Sequence, residues 1–288
     1  MPPQRNRRHW IAAVAVVFGL VVAPVAGAAS RRSAASLTQT LTASGATFET
    51  SNDAASTGFG ASPCVLNGHA FSPVVDGRTP ASGDAFDGGM MVGVGGGTFK
   101  DPDGIGTLSG QTLTAGPQMR FGLQVSETAT ALATSPTLRV LITLKNPSRA
   151  AISTVVVLDS ALGTQGNEAT VASSSGDMLF RRADRWLVSQ YTSGGEDARV
   201  TEVLFGKGAV ASKVAKVLRA PGEGCITVRY DVHVPSKSTR YLMAFVELHD
   251  TAESAQSDAA KFNSVTKTSS VMADIGSKVR KKILNWKF

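Results

Sequence analysis

The residues of this chain that could hold a metal ion or move a proton are few. Three turns are rich in carboxylates, with Asp84 and Asp87 in the first, Asp101 and Asp103 in the second and Asp177 in the third. Calcium takes about six to eight oxygen ligands, and the spacing that supplies them in an EF-hand loop is absent from all three turns. Aspartate beside glycine or proline is the ordinary composition of a β-turn. We therefore interpret these aspartates as turn residues and assign no metal site; calcium binding stays open but has no support in the sequence.

Three histidines follow the N-terminal region, His69, His233 and His249, and no two of them have the spacing of metal ligands on one element. A zinc site requires three or four converging ligands, so we interpret these histidines as structural. The sequence contains no nucleophile elbow, no HExxH helix and no Ser-x-x-Lys set. Two acids distant in sequence can still form a glycosidase pair, so enzymatic activity stays open. No catalytic residue and no cofactor site are predicted.

The segment RWLVSQY offers the best candidate for a ligand surface, through Arg185, Trp186 and Tyr191. An indole beside a guanidinium can stack on a sugar ring or bind a polar partner. Trp186 also shares a strand face with Val188, and that alternation favours a position in the core. The sequence leaves both interpretations open.

Two strand-like segments and a helix start organise the end of the body. CITVRYDVHV (Cys225–Val234) alternates strictly between apolar and polar residues, as a half-buried strand does. RYLMAFVELH (240–249) is apolar on both faces, which predicts a strand covered on both sides. The intervening PSKST predicts a reversal, and hence a hairpin. Asp250, with Glu253 three residues on, predicts the N-cap of a short helix.

From residue 37 to about residue 205 the chain consists of short alternating or apolar runs separated by Gly, Pro, Ser and Asp. With the two segments above, about a dozen strands are expected, at a spacing typical of sandwiches and barrels. A single all-β domain commonly reaches this length. We predict an all-β fold, one large two-sheet β-sandwich over 37–263, with a short helix after the last strand.

The N-terminus has the composition of a secretory signal peptide. Arg5, Arg7 and Arg8 precede an apolar run over 11–25 and the small residues Ala26-Gly27-Ala28, which predicts cleavage after residue 28. The run is shorter than the ~20 apolar residues of a membrane span. Adjacent arginines also permit a twin-arginine route. We expect export to the cell surface or medium, with 29–36 as a disordered linker.

The chain has two cysteines, Cys64 and Cys225. In an oxidising compartment such a pair is expected to form a disulfide. Its loop would be about 160 residues long and could contribute roughly 5 kcal/mol by reducing the entropy of the unfolded chain. The alternative is two buried free thiols.

Positive charge is concentrated at the two ends of the chain. Residues 264–288 carry six basic residues and one acid, and residues 29–263 are nearly neutral, with 20 basic and 21 acidic residues. A neutral body has no basic excess for a phosphate backbone, so we exclude nucleic acid as a partner.

The tail itself shows an amphipathic pattern. Apolar residues recur every four positions from Val271 to Ile283, and the remaining positions include Lys278, Arg280, Lys281 and Lys282. This predicts a basic amphipathic helix over 264–288. It could contact an anionic envelope surface or dock on the sandwich with its lysines in solvent. We expect that removing the tail leaves a folded body.

Four segments resemble an uncharacterised β-rich domain of secreted bacterial proteins. They are DAFDGG at Asp84, ALGTQGNEATVASSSGD at Ala161, DRWLVSQ at Asp184 and VPSKSTRYLMAFVELHD at Val234. The resemblance covers roughly residues 82–262, and Lys237 stands where the pattern has a turn glycine. It implies a fold and an extracytoplasmic location, and it carries over no reaction.

The leading hypothesis is therefore a secreted or cell-surface β-sandwich protein with a non-enzymatic binding or structural role. A carbohydrate-binding module or carbohydrate-active enzyme is the alternative, resting on the aromatic residues and on fold analogy. The partners implied are an envelope surface or a glycan.

Overall fold

The computed structural model describes residues 38–52, 66, 70–100, 106–163, 168–192, 197–209, 214–220 and 224–288, with 214–220 described by their backbone alone. These residues contain sixteen strands and two α-helices. The strands are β1 (Thr38–Ala43), β2 (Ala46–Ser51), β3 (Ser72–Arg78), β4 (Phe86–Val94), β5 (Gly97–Thr98), β6 (Thr107–Ser109), β7 (Thr112–Arg120), β8 (Leu123–Ala131), β9 (Thr137–Lys145), β10 (Ile152–Leu162), β11 (Glu168–Ser173), β12 (Trp186–Tyr191), β13 (Arg199–Val203), β14 (Val214–Ala220), β15 (Cys225–Val234) and β16 (Thr239–His249). The helices are α1 (Ala252–Lys261) and α2 (Ser277–Arg280).

The strands form two antiparallel sheets. Sheet A has the order β1-β2-β3-β4-β10-β15-β14, with β5 paired to β4, and sheet B has the order β11-β12-β13-β16-β9-β8-β7-β6. The predicted all-β, two-sheet sandwich is confirmed. Strands β10 and β16 contain the runs that are apolar on both faces, and both occupy interior positions of their sheets.

The main core lies between the sheets because most strands alternate. In β8, Leu123, Val125 and Ala129 are buried in this core. Sheet A contributes residues such as Val228 and Tyr230 from β15. Fully burying a side chain of valine or leucine size stabilises the fold by about 1.5–3 kcal/mol relative to leaving it exposed.

The predicted hairpin between β15 and β16 is wrong. β15 pairs with β10 and β14 in sheet A, whereas β16 pairs with β9 and β13 in sheet B. Residues 235–238 carry the chain from one sheet to the other. Both strands direct an apolar face into the same core, so each must approach it from its own side. The alternation predicts the strands, but it does not determine their partners.

The outer face of sheet B is covered by the C-terminal part of the chain. Helix α1, 3-10 turns at Phe262–Ser264 and Ser270–Met272, and helix α2 follow one another there. Phe245 of β16 packs against Phe262 and Trp286, with ring centroids 5.0 and 5.4 Å apart. The N-cap of α1 is Thr251, one residue later than predicted, and its side chain accepts from the N–H of Ser254.

Helical structure in the tail is much shorter than the amphipathic pattern predicts. Within 264–288, α-helix is confined to Ser277–Arg280. Met272, Ile275, Ile283 and Trp286 are nevertheless buried against sheet B. The N–H of Tyr241 in β16 donates to the carbonyl of Lys282, and the N–H of Leu284 donates back to Tyr241.

The tail is therefore docked on sheet B, which is one of the two arrangements expected for it. The expectation that the body stays folded without the tail stays a prediction. Residues 264–288 supply backbone hydrogen bonds to sheet B and cover its apolar outer face. The predicted signal peptide (1–28) and linker (29–36) lie outside the described residues. Among the described helices, none has the length and apolar character needed to cross a membrane.

Candidate functional site

The structure does not bring Arg185, Trp186 and Tyr191 together as a ligand surface. Trp186 is buried in the cluster on the outer face of sheet B, and its indole N–H donates to Asn263 Oδ1 at 3.0 Å. The guanidinium of Arg185 donates to the same oxygen. Tyr191 is half-buried and, five residues along the strand, projects from the opposite face. Arg185 and Trp186 therefore hold β12 to the turn after α1, and the core interpretation of Trp186 is the one observed.

The two histidines among the described residues, His233 and His249, lie on different sheets. His69 is outside the described residues. His233 is exposed on β15 of sheet A, and its Nδ1 lies 2.9 Å from the hydroxyl of Ser153. His249 is buried on the outer face of sheet B, at the end of β16. The two described histidines cannot share a ligand.

The carboxylate-rich turns have different environments. Asp177 accepts hydrogen bonds from the N–H of Leu179 and the hydroxyls of Ser173 and Ser175, and the Leu179 bond is the main cause of its lowered pKa. It serves as the acceptor of its own turn. Asp101 and Asp103 lie outside the described residues.

Asp84 and Asp87 belong to a group of acids with raised pKa values. Partial burial raises the pKa of Asp87 to about 6, with further contributions from the negative charges of Asp84 and Asp76. Burial is also the main cause of the raised pKa of Asp84, and Asp76 and Asp197 add to it. These carboxylates repel one another at neutral pH.

Cys225 is buried at the start of β15, beside Ala161 of β10. Cys64 lies outside the described residues. The disulfide between them therefore stays a prediction.

A basic cavity of about 300 Å³ lies on the C-terminal segment. Its cations are Lys267, Arg280, Lys281 and Lys287, and the rest of its lining consists of Ser277, Ile283, Trp286 and Phe288. None of the four cations forms an ion pair with a carboxylate of the described residues. The cavity therefore presents positive charge to solvent.

Packing beneath the lysines fixes the walls of the basic cavity. Trp286 is buried against Phe245, and its ring stacks on Phe288 with centroids 6.1 Å apart and planes 7° apart. The Arg280 guanidinium donates to the carbonyl of Lys267 at 2.7 Å, which joins two parts of the rim. Lys278 and Lys282, predicted at the same surface, are exposed but do not line the cavity. The apolar residues of the tail are thus buried against the outer face of sheet B, while its basic side chains face the solvent.

A second polar site was not predicted from the sequence. Glu247, His249 and Asp258 each place a ligand atom within 4.8 Å of the others. We call this group the carboxylate–histidine cluster. Its two acids line a cavity of about 370 Å³ between β16, α1 and the following turns.

One signal for this cluster was present in the sequence. Glu247 and His249 are two residues apart on one strand, so they share a face. An acid and a histidine on the face of an otherwise apolar strand are candidates for a polar site. Asp258, however, reaches them only because α1 folds back over sheet B.

Comparisons with known proteins give little further information. No family model matches the chain, and no curated protein matches it. Among solved structures, a TPR-domain containing protein from Parabacteroides distasonis is 8% identical with a TM-score of 0.45, over 72% of this chain and 46% of that one. The Slr1438 protein from Synechocystis is 8% identical with a TM-score of 0.41, over 75% of this chain and 96% of that one. A protein assigned as an aldose 1-epimerase from Escherichia coli K12 is 8% identical with a TM-score of 0.39, over 75% of this chain and all (100%) of that one. This chain spans less than half the length of the first of these proteins, and at such TM-scores none of the likenesses supports an inference about function.

Proposed function

We propose that the protein is an exported, non-enzymatic β-sandwich that binds an anionic surface of the cell envelope through its basic cavity. The observation that carries the proposal is the set of four cations at this cavity, which have no carboxylate partner among the described residues. The lipid phosphate is the anion we assign to it. Lys278 and Lys282 add exposed charge at the same surface.

The docked conformation of the tail favours this kind of contact. A preorganised set of cations loses less conformational entropy on binding than a segment that must first fold. Each basic residue near an anionic leaflet contributes about 1 kcal/mol at physiological ionic strength, and the attraction decays within a Debye length. Binding should therefore be reversible and sensitive to salt.

Export is supported by the N-terminal sequence and by the surroundings of Cys225. Leu66, two residues after Cys64, donates its N–H to Asp159 Oδ2 at 2.8 Å. Asp159 pairs with Thr227, and Ala161 pairs with Cys225 two residues further along the same strands. The distance along the strands from the first of these residue pairs to the second is about 6.7 Å. The two residues from Leu66 back to Cys64 can span this distance in an extended conformation.

We therefore propose a Cys64–Cys225 disulfide in a protein that folds outside the cytoplasm. Thiol labelling of the non-reduced, denatured protein should find no free cysteine. Labelling of both cysteines would contradict the bridge.

The surface contact is tested by sedimentation with phosphatidylglycerol and phosphatidylcholine vesicles at low and high salt. The charge-neutralised double variant Lys281→Gln/Lys287→Gln should lose about 2 kcal/mol of binding free energy, or roughly 30-fold in affinity. Lys145→Gln/Arg149→Gln is the matched control, because it removes the same charge from exposed positions outside the cavity. Equal losses in both variants, or no salt-dependent binding by the wild type, would refute the proposal.

The alternative of a carbohydrate-binding module or carbohydrate-active enzyme loses its main support. It required exposed indoles, and Trp186 and Trp286 are both buried, with 6% and 5% of their surface accessible.

A further inference from the structure

We propose that Glu247, His249 and Asp258 bind one divalent transition-metal ion of the zinc class. The three residues converge from β16 and α1, with one ligand atom of each within 4.8 Å of the others. This site is separate from the basic cavity and does not depend on the function proposed there.

Each carboxylate of the cluster has one oxygen held by a neighbour and the other directed at the imidazole. The hydroxyl of Thr137 donates to Glu247 Oε1 at 2.6 Å, and Glu247 Oε2 lies 3.5 Å from His249 Nε2. Lys261 binds Oδ1 of Asp258, and Asp258 Oδ2 lies 3.9 Å from His249 Nδ1. Outer-shell partners of this kind orient the ligands of known metal sites.

Two side-chain atoms of the cluster are buried and lack a hydrogen bond. The side chains of His249 and Glu247 are only 5% and 4% exposed. Neither His249 Nε2 nor Glu247 Oε2 has a hydrogen-bond partner within the described part of the chain. Leaving a buried polar group unsatisfied costs about 1–3 kcal/mol, and more for a charged one. A cation bound at the cluster would satisfy both residues.

The chemistry of the ligands determines the class of metal. Zinc binds both imidazole nitrogens and carboxylate oxygens, whereas calcium and magnesium prefer oxygen ligands alone. Three protein ligands leave a coordination position for water. The adjoining cavity of about 370 Å³, lined also by the hydroxyl residues Ser135, Ser269 and Ser270, provides room for that water and a path of entry.

Asp258 is the ligand that must move to complete the site. Ligand atoms of a tetrahedral zinc ion lie roughly 3.3 Å apart, given metal–ligand distances of about 2.0 Å. Asp258 lies on α1 with 24% of its side chain exposed, so its rotamer can change without disturbing the core. Its replacement should leave the metal-free fold intact.

The experiment uses the tag-free, metal-free protein. Zinc binding is measured by calorimetric titration, and cobalt binding by the absorption that reports its coordination geometry. We expect one zinc ion per chain, at least tenfold weaker binding for Asp258→Asn, and about tenfold weaker binding for Thr137→Val, which removes the hydroxyl that positions Glu247.

Two controls make the result specific. Glu253→Gln removes an exposed acid from the same helix, and His233→Gln removes the exposed histidine of sheet A; both should bind zinc as the wild type does. Circular dichroism of each metal-free variant verifies that it is folded. The proposal is overturned if zinc and cobalt show no saturable binding, if Asp258→Asn binds as tightly as the wild type, or if His233→Gln abolishes binding.

Discussion

The side chain of Asn285 pairs with the backbone of Met243 on both its N–H and its C=O, as a neighbouring strand would. Oδ1 accepts from the Met243 N–H at 2.9 Å, and Nδ2 donates to the Met243 carbonyl at 2.8 Å. Strand β13 ends at Val203, which lies opposite Phe245. The tail therefore continues along the edge of β16 where β13 stops.

Replacing Asn285 should destabilise the protein strongly. Asn285→Ala removes the two bonds to Met243 and a third to the carbonyl of Leu204. The buried Met243 N–H is then unsatisfied, while the two carbonyls keep Trp286 Nε1 and the Tyr230 hydroxyl as donors. We expect the free energy of unfolding to fall by about 3 kcal/mol, measured by urea denaturation. Lys287→Ala, an exposed change two residues on, should stay within about 0.5 kcal/mol of the wild type. Similar values for the two variants would mean that the tail does not stabilise sheet B.

Glu127 should make the stability of the protein fall as pH rises. It lies on β8, fully buried, with both oxygens lacking a hydrogen-bond partner among the described residues. Burial raises its pKa well above the ordinary range. The folded state therefore keeps the proton after the unfolded state has released it. The stability that Glu127 contributes through this raised pKa is fully present below its pKa in the unfolded chain. It is lost as the pH rises towards its pKa in the folded protein.

The test is to replace Glu127 by methionine, which has a similar volume and no ionisable group. Glu127→Met should be more stable than the wild type at neutral pH, and the difference should grow by up to about 1.4 kcal/mol per pH unit above the unfolded pKa. Urea denaturation at several pH values measures it. Parallel stability curves for the two proteins would contradict the prediction.

Local patterns in the sequence predict the strands well, but they do not predict which strands pair or which side chains pack against them. Alternation identifies β15, and the apolar residues on both faces of β16 predict its double coverage. Alternation in β8 places Glu127 on the same face as Leu123, Val125 and Ala129, although an acid is rarely buried without a partner; register sets it opposite Ile142 on the core face. Pairing partners also depend on distant contacts, which is why the hairpin expectation failed.

The tail and the carboxylate–histidine cluster show the same limit. The four-residue spacing in 264–288 predicts a helix, but backbone hydrogen bonds from Tyr241 to Lys282 and Leu284 favour an irregular path along the sheet. The cluster needs Asp258 from a helix that packs over β16. A one-dimensional pattern contains no information on that packing.

Asp87 and Asp177 should have opposite effects on pH-dependent stability. The pKa of Asp87 is raised to about 6 by burial and by Asp84 and Asp76, so its contribution is lost as pH rises through that value. The pKa of Asp177 is lowered, chiefly by the Leu179 N–H, so its contribution is present at neutral pH and lost as pH falls. Relative to the wild type, Asp87→Asn should therefore raise the melting temperature more at pH 7 than at pH 4. Asp177→Asn should lower the melting temperature relative to the wild type at pH 7. Changes of the same sign in both variants would refute this assignment.

Lys237 occupies the turn between β15 and β16 in a left-handed backbone conformation, with φ of 52°. This is the position at which the resembling domain pattern has glycine. The conformation costs an L-residue about 1–2 kcal/mol, while glycine loses about 0.5–1 kcal/mol through its greater freedom in the unfolded chain. Lys237→Gly should therefore raise the free energy of unfolding by about 0.5–1 kcal/mol. Lys237→Ala is the control, since it keeps the unfavourable φ and removes the bond from Nζ to the carbonyl of Pro147, and it should be no more stable than the wild type. If urea denaturation ranks the alanine variant equal to the glycine variant, backbone strain at Lys237 is not what limits the stability of this turn.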